Sequence, residues 1–252
     1  MVNKGQTYYL YGYMPAEAVT SASITPLTGN TVYADGAVLA LDGLEPVSQQ
    51  EEIERLRFAL GLIRREAPDA VVSVDTFRPD VARMVVEEYG ADIINDVGGT
   101  SYEVQVTKDE GRSAMFRMVS RLRVPYILMS SAPTMREILL GFARDVDELR
   151  SWGQKDIILD PGFGFGKTLE QNYEVMAHME QLQVLQLPIL VGVSRKSMIY
   201  KTLGCTPAEA LNGTTVLNTV ALQKGASILR VHDVREAKET IKISQLCFSN
   251  LA

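Results

Sequence analysis

Short apolar runs alternate with longer amphipathic stretches along most of this chain. The runs are rich in β-branched and aliphatic residues without strict polar alternation, which is typical of parallel strands covered on both faces. They predict eight strands, at residues 8–11, 38–41, 71–74, 92–95, 126–129, 157–160, 189–193 and 228–232. Between most strands the apolar positions recur at helical spacing, as at Ile53, Leu56, Leu60 and Ile63.

This alternation predicts an α/β fold, a (β/α)8 TIM barrel formed by residues 1–252 as a single domain. The first βα unit is degenerate. Residues 14–37 contain Pro15, Pro26 and Gly36 but no apolar helical stripe, so a loop or hairpin is expected there and helix 1 is missing or replaced. An open doubly wound sheet is the alternative, because counting strands does not show whether the sheet closes.

Composition narrows the class of protein. Of the 252 residues, 46% are hydrophobic, which is ample for a large core. The net charge of -6 argues against nucleic acid as a partner, since there is no basic excess to neutralise phosphates. Cys205 and Cys247 lack metal-ligand spacing and fit a reduced, cytoplasmic protein. No signal peptide and no membrane span is expected, because no apolar run approaches ~18 residues.

Polar side chains follow several of the predicted strands, where a barrel places its active site. They are Asp75, Asn95, Asp96, Asp160, Ser194, Arg195, Lys196, Arg230, His232 and Asp233, together with Met129. A carboxylate beside an amide can pair with a flat heterocycle, and nearby cations can hold an anion such as phosphate. We therefore expect these groups to converge on one pocket.

Each of these residues also has a simpler interpretation. Asp75, Asp96 and Asp233 are plausible helix caps, and Lys196 taken alone would be a solvated surface lysine. His178, the second histidine, is predicted within a helix and suits a surface or packing role. Caps alone do not explain so many functional groups at five strand ends.

The glycine-rich segment 162–168 resembles a phosphate-binding P-loop, but its spacing does not match. Three residues separate Gly162 from Gly166, whereas the motif requires four before its Gly-Lys pair. The glycines are better suited to let the backbone and Phe165 approach a planar ligand. The alternative is a flexible loop whose phenylalanines only pack.

From about residue 50 to 248 the chain resembles the dihydropteroate synthases. Five motifs in the family's order and spacing carry the resemblance: Ser-Val-Asp-Thr at 73–76, Ile-Ile-Asn-Asp-Val at 93–97, Asp-Pro-Gly-Phe-Gly-Phe-Gly-Lys-Thr at 160–168, Ser-Arg-Lys-Ser-Met at 194–198 and Arg-Val-His-Asp-Val at 230–234. The related methyltetrahydrofolate-dependent barrels share the acid and Asn positions, but the last two motifs are not expected in them.

The resemblance implies the condensation of 6-hydroxymethyl-7,8-dihydropterin pyrophosphate with p-aminobenzoate, which yields 7,8-dihydropteroate and pyrophosphate in folate biosynthesis. It implies that the pterin is bound by Asp75, Asn95, Met129, Asp160, Phe165, Gly192 and Lys196. It assigns pyrophosphate to Arg230 and His232, aminobenzoate to Ser197, and catalysis to Lys196, Arg230 and His232. It also implies Mg²⁺ as a cofactor and a homodimer formed through the late helices.

Residues 1–48 diverge from the family. The loop after the first strand lacks the Asn that helps to hold magnesium, and Ser23 stands in its place. The second loop, Asp42 to Pro46, has no arginine, and the usual His-Met-x-Gly segment is replaced at 130–133. The leading hypothesis is a working synthase. The alternatives are a pterin-binding paralogue that acts as a binding or regulatory subunit, a different enzyme on the same slot, or a corrupted coding region before residue 50.

Overall fold

The computed structural model describes residues 8–15, 31–35, 48–97 and 108–248, in which strands and helices alternate. The strands are β1 (Tyr8–Pro15), β2 (Thr31–Asp35), β3 (Val71–Asp75), β4 (Ile93–Asp96), β5 (Tyr126–Met129), β6 (Ile157–Asp160), β7 (Leu190–Val191) and β8 (Ile228–Val231). The α-helices are α1 (Gln49–Glu66), α2 (Pro79–Tyr89), α3 (Lys108–Leu122), α4 (Met135–Ser151), α5 (Leu169–Ala177), α6 (Ser197–Leu203), α7 (Leu211–Gln223) and α8 (Val234–Phe248). Two 3₁₀ helices occupy Met179–Leu185 and Pro207–Glu209.

The chain divides into two compact units. The first unit comprises residues 1–12, 129–146 and 158–252, and the second comprises residues 13–128 and 147–157.

In the second unit, strands β2 to β5 pair in parallel in chain order. The register sets Val74 opposite Ile94 and Asn95 opposite Ile127. Strand β3 is buried at four of its five positions, as expected for a parallel strand that is covered on both faces. Asp75 and Asn95 stand at adjacent positions of β3 and β4, because their strands run in the same direction and end in register.

Helix α1 shows how this unit is assembled from local patterns. The Ser48 side chain caps the helix by accepting a hydrogen bond from the Glu51 backbone N–H. In the apolar stripe of α1, Leu56, Leu60 and Ile63 are completely buried, while Ile53 is partly exposed. Near its other end, Arg64 donates from Nε to the Tyr89 carbonyl at 2.7 Å, at the carboxyl end of α2. That end of a helix carries unpaired carbonyls that a cation stabilises.

In the first unit, β8 lies between β1 and β7, and both pairs are parallel. Leu190 stands opposite Ile228, which in turn stands opposite Tyr8. An isolated parallel bridge between Leu159 and Ile189 connects β6 to the β7 end of this arrangement. The carboxyl ends of β6, β7 and β8 therefore lie along one edge, and each leads into a segment predicted to carry functional groups.

Several sequence predictions are confirmed and some are corrected. The strands predicted at 8–11, 71–74, 92–95, 126–129, 157–160 and 228–232 are present, while β7 is shorter than predicted. Residues 31–35, assigned to a loop or hairpin, form β2, whose Thr-Val-Tyr sequence suits a strand. The strand predicted at 38–41, and residues 16–30 of the segment predicted as a loop or hairpin, lie outside the described residues. The single-domain assignment stays a prediction. Among the described helices, none is long and apolar enough to span a membrane.

Candidate active site

Asp160 ends β6 and is a buried acid of the first unit, with only 6% of its surface exposed. Its Oδ1 accepts a hydrogen bond from the Gly162 backbone N–H at 2.8 Å. Burial raises the pKa of this carboxyl, and the charges of Lys196, Arg230 and Lys167, together with the Gly162 hydrogen bond, oppose that rise. The result is a carboxyl in a low-dielectric setting that is stabilised by donors, as is typical of a ligand-binding acid.

The glycine-rich turn after Asp160 is shaped by left-handed backbone angles. Gly162, Gly164 and Gly166 have φ values of 67°, 80° and 64°. A Cβ at Gly162 would lie 2.1 Å from the Ser130 carbonyl oxygen, so glycine is required there on two grounds. The Gly164 N–H donates to Oδ1 of Asn172 at 2.7 Å, which ties the turn to α5. The turn is thus held from several sides, which argues against the alternative of a flexible loop.

Lys167 closes this turn from within. Its Nζ donates to the carbonyl oxygens of Ser130 at 3.1 Å, Gly162 at 3.0 Å and Phe165 at 3.4 Å. Burial lowers the pKa of the amine to about 8, and the nearby Asp160 carboxylate opposes that fall. A lysine committed to the carbonyls of its own turn has a structural role, which agrees with the exclusion of a P-loop by spacing.

Lys196, at the N-cap of α6, reaches the same turn. Its Nζ donates a hydrogen bond to the Phe163 carbonyl oxygen and lies 4.5 Å from the centre of the Phe165 ring. A Cβ at Gly164 would lie 3.1 Å from the Lys196 side chain, so the missing side chain lets the two segments approach. The structure thus brings together Lys196 and Phe165, two predicted pterin-binding residues, and the surface-lysine interpretation is wrong.

The segments after β7 and β8 are bonded to each other residue by residue. Oγ of Ser194 lies 2.9 Å from Nδ1 of His232 and also accepts the His232 backbone N–H at 3.2 Å. Arg195 donates to both carboxylate oxygens of Asp233, at 2.8 and 2.6 Å. These bonds hold Asp233 in a role other than the helix cap considered from sequence.

Electrostatics in this pair of segments follow from the contacts. Partial burial lowers the pKa of His232, the positive charges of Arg195, Arg230 and Lys196 add to that shift, and Asp233 opposes it. The hydrogen bonds from Arg195 hold the pKa of Asp233 below its ordinary value. The positive charges of Lys196 and Arg230 lower the pKa of both Asp160 and His232, so the same two cations influence the acid and the histidine.

The other predicted residues of the first unit lie beside these groups. Gly192 lies beside Arg230, and a Cβ at Gly192 would make an ordinary van der Waals contact with Cβ of the arginine, at 3.7 Å. Met129 is buried, and its Cγ would lie 3.2 Å from a Cβ at Gly162. Ser197 is the first residue of α6 and is half-buried.

The second unit contributes the predicted pair Asp75 and Asn95. Nδ2 of Asn95 donates to Oδ1 of Asp75 at 2.5 Å, and both residues are almost completely buried. Asp75 is not a cap of α2, because the Arg78 N–H that a cap would receive is accepted by Oγ1 of Thr76 at 3.2 Å. Asp96 accepts a hydrogen bond from the Tyr126 hydroxyl. Convergence of both units' side chains on one pocket stays a prediction.

Sequence reasoning missed two residues that hold the site in place and gave no role to a third. Asn172 donates from Nδ2 to the carbonyls of Lys167 and Thr168 as well as accepting from Gly164. Thr214 accepts the Arg195 backbone N–H at 3.0 Å. Ser194 was placed at a strand end but given no role. Asn172 and Thr214 are buried polar residues of helices, and that burial, which singles them out, is visible only in the structure.

The described residues do not fit a magnesium site of their own. Magnesium prefers carboxylate oxygens, but Asp160 accepts from Gly162 amid three cations and Asp233 is bonded by Arg195. Within the described ranges, no three His, Cys, Asp or Glu side chains are grouped to hold a metal ion. Of residues 1–47, which diverge from the family, the described ranges include only strands β1 and β2.

Comparison with known proteins agrees with this geometry. The sequence profile of the family described as "Pterin binding enzyme" matches residues 36–232. The dihydropteroate synthase of Clostridium beijerinckii is 36% identical over 213 residues, which are 81% of this chain and 75% of that protein. The dihydropteroate synthase of Escherichia coli K12 is 31% identical over 239 residues, which are 92% of this chain and 84% of that protein.

Solved structures give the same result. A crystal structure of dihydropteroate synthase from Clostridium difficile in the presence of pteroic acid matches with a TM-score of 0.81 and 27% identity, over 98% of this chain and 99% of that one. The enzyme from Vibrio fischeri matches with a TM-score of 0.80 and 29% identity, over 97% and 94% of the two chains. The chain therefore belongs to the dihydropteroate synthase family of pterin binding enzymes. It is a transferase of that type with the family's TIM-barrel fold.

Proposed function

We propose that the chain condenses 6-hydroxymethyl-7,8-dihydropterin pyrophosphate with p-aminobenzoate. The amine nitrogen attacks the pterin methylene carbon, the carbon–oxygen bond to pyrophosphate breaks, and the amine loses one proton. The products are 7,8-dihydropteroate and pyrophosphate. The observation that carries this proposal is the contact between the segments after β6, β7 and β8: Lys196 binds the glycine-rich turn that follows the buried Asp160, and Ser194 beside it binds His232.

Asp160 suits the pterin edge because of its burial. The pterin ring presents adjacent N–H donors, and a carboxylate accepts paired bonds from them with strong directionality. Binding would add donors to the one that Gly162 already supplies and favour the ionised form of this acid. The family resemblance assigns Asp75 and Asn95 to the same ring, and their buried hydrogen bond fixes the orientation of both side chains.

Lys196, Phe165 and Met129 suit the ring faces and their surroundings. The Phe165 ring is held 4.5 Å from Nζ of Lys196, so that an aromatic face and a cation are presented together. Lys196 already binds a carbonyl oxygen, that of Phe163, which is the type of acceptor that a pterin also offers. Gly192 leaves space beside Arg230 where a side chain would otherwise project.

Arg230 and His232 suit the leaving group. Cleavage of the carbon–oxygen bond develops negative charge on pyrophosphate. Fixed donors and cations beside that charge stabilise the transition state more than the ground state. Ser197, adjacent to Lys196 at the start of α6, is assigned to p-aminobenzoate by the resemblance.

The test is turnover by the purified protein with the pterin pyrophosphate and p-aminobenzoate, with and without magnesium. We expect release of pyrophosphate together with dihydropteroate. Lys196→Met and Arg230→Met should each lower kcat by about 10²–10³, the usual effect of removing one electrostatic donor. Lys201→Met and Arg235→Met, at exposed positions of α6 and α8, serve as matched controls. Absence of turnover, with a pterin that still raises Tm, would instead support a binding paralogue.

The assignment of Asp160 has its own test. Asp160→Ala should weaken pterin binding measured by calorimetry, whereas Asp147→Ala, at an exposed position of α4, should not. Equal pterin affinity in the two variants would show that the site assignment is wrong.

We also propose a homodimer and a cytoplasmic location. Leu203, Val216, Ile243 and Leu246 of α6, α7 and α8 are each more than half exposed, which suits a surface that a second copy covers. Light scattering after gel filtration tests the dimer, and Leu246→Glu should shift it towards a monomer.

The proposed cytoplasmic location is supported by Cys205 and Cys247, which are both free thiols.

A further inference from the structure

Ser194 contacts His232 at two atoms. Its Oγ accepts the His232 backbone N–H at 3.2 Å and lies 2.9 Å from Nδ1 of the ring. Ser194 itself is only 5% exposed, whereas solvent reaches His232. The Nδ1 edge of the imidazole is therefore held against a buried hydroxyl, and Nε2 is the nitrogen that remains for a ligand.

The direction of the second bond follows from counting donors and acceptors. A hydroxyl has one proton to donate and two lone pairs. One lone pair receives the His232 backbone N–H. Within the described part of the chain, Ser194 Oγ contacts no acceptor other than Nδ1, and a buried hydroxyl proton left unpaired is unfavourable. The hydroxyl thus donates to Nδ1, and the proton of the neutral ring is on Nε2.

We propose that Ser194 is a positioning residue that holds neutral His232 as its Nε2–H tautomer, ready to donate a hydrogen bond to the departing pyrophosphate. The identity of that acceptor rests on the proposed function, but the tautomer does not. The two cations supply charge at the leaving group, and the histidine adds one directional donor without having to take up a proton first.

The charged groups around His232 agree with a neutral ring. Arg195 and Lys196 lie in the segment after β7, Arg230 lies on β8, and Asp233 follows the histidine directly. Three of these four are cations, which disfavour an imidazolium. The one anion, Asp233, is bonded by the Arg195 guanidinium. Together with partial burial, they lower the pKa of His232.

The direct experiment is ¹⁵N NMR of the histidine rings at pH 7.5 in the full chain, with Ser194→Ala as the variant. The chain has two histidines, and His178, exposed at the end of α5, is an internal reference. We expect His232 to show a single Nε2–H tautomer in the parent protein and a mixture of tautomers in Ser194→Ala, with the His178 signals unchanged. A mixture or an Nδ1–H tautomer in the parent protein would overturn the proposal, as would identical His232 signals in both proteins.

Kinetics separate this role from a purely structural one. In Ser194→Ala we expect kcat to fall roughly tenfold with KM for the pterin substrate nearly unchanged, since the bond strengthens as charge develops. Ser194→Thr keeps the hydroxyl and should restore kcat, and its ring spectrum shows whether the tautomer is restored as well. The parent kcat should stay level between pH 6.5 and 8.

A decline in kcat over that range, following the loss of a proton from His232, would show that the imidazolium is the active form and overturn the proposal. If the protein makes no dihydropteroate but His232 shows the expected tautomer, the proposed function fails and the tautomer assignment stands. If the protein makes dihydropteroate but His232 shows the Nδ1–H tautomer, the proposed function stands and the tautomer assignment fails.

Discussion

The guanidinium of Arg195 and the carboxylate of Asp233 form a two-point hydrogen bond, with Nε to Oδ2 at 2.8 Å and Nη2 to Oδ1 at 2.6 Å. Arg195 also donates from Nη1 to the Ala208 carbonyl at 2.9 Å, at the 3₁₀ helix before α7. Its neighbours in sequence, Ser194 and Lys196, contact His232 and the glycine-rich turn. The Arg195 side chain therefore connects the segment after β7 with the segment after β8 and with the 3₁₀ helix Pro207–Glu209.

Arg195→Lys should destabilise the protein, because an ammonium cannot form both parallel bonds. We expect the free energy of unfolding to fall by about 1–3 kcal/mol for this partly buried pair, as measured by urea denaturation. Arg235→Lys is the matched control. Its pair with Glu239 is single and exposed, so the change should not exceed about 0.5 kcal/mol. Equal losses in the two variants would contradict a special role for Arg195.

The glycine-rich turn gives a sharper contrast. Gly162→Ala adds a methyl group 2.1 Å from the Ser130 carbonyl at a φ of 67°, so we expect a loss of at least about 2 kcal/mol in unfolding free energy and weaker pterin binding. Gly141→Ala in α4 meets no atom within 4 Å and should gain about 0.5–1 kcal/mol, the usual helical preference for alanine. Thermal melting of the two variants measures both changes, and a stable Gly162→Ala protein would refute the packing argument.

The pair Asp75 and Asn95 predicts a pH-dependent effect. Asn95→Asp would place two buried carboxyls in hydrogen-bond contact, which raises the pKa of one of them in the folded state. The folded protein then binds more protons than the unfolded chain, so the variant loses stability as pH rises. We expect a deficit of about 3 kcal/mol at pH 8 that shrinks towards pH 5.

The control for this variant is Gln50→Glu. Gln50 donates to Glu54 at 2.9 Å in an exposed contact of the same chemical type on α1. A new carboxylate there should change the unfolding free energy by no more than about 0.5 kcal/mol at any of these pH values. A deficit in Asn95→Asp that stays constant from pH 5 to 8 would argue against the contact between the two carboxyls.

Lys167 predicts the opposite dependence on pH. Its pKa is about 8 in the folded protein and 10.5 ordinarily, so between these values the unfolded chain holds a proton that the folded chain has released. Raising the pH through this window therefore favours folding at this position. The parent protein should gain stability relative to Lys167→Met from pH 7.5 to 9.5 in urea titrations, while exposed Lys155→Met shows no such trend. A constant difference between parent and Lys167→Met would be contrary to this expectation.

The extent to which sequence predicted this site depends on distance along the chain. Asp160, Lys196 and His232 directly follow apolar runs, so the topology of parallel strands places them at one edge of the first unit. Asn172 and Thr214 could not be found in this way. They act from α5 and α7 on backbone atoms of other segments, and nothing in their local sequence distinguishes them from ordinary polar helix residues.

The same limit explains the error at β2. Proline and glycine between residues 14 and 37 predicted a loop or hairpin, but the β-branched residues within 31–35 also suit a strand, and pairing with β3 forms one. Local composition describes a segment by itself, whereas its structure also depends on the neighbour that completes its hydrogen bonds.

The backbone of Arg195 has a consequence for which sequences natural selection can explore. Its φ of 55° lies in the left-handed region, which glycine adopts readily and β-branched residues adopt only with strain. Glycine at position 195 would relieve the backbone strain but would remove both hydrogen bonds to Asp233. Valine or isoleucine would also remove these bonds and would add steric strain. Few residues therefore satisfy both the backbone conformation at position 195 and the pairing with Asp233. Natural variants of the protein should differ far more often at the solvent-facing residues of α8 than at this position.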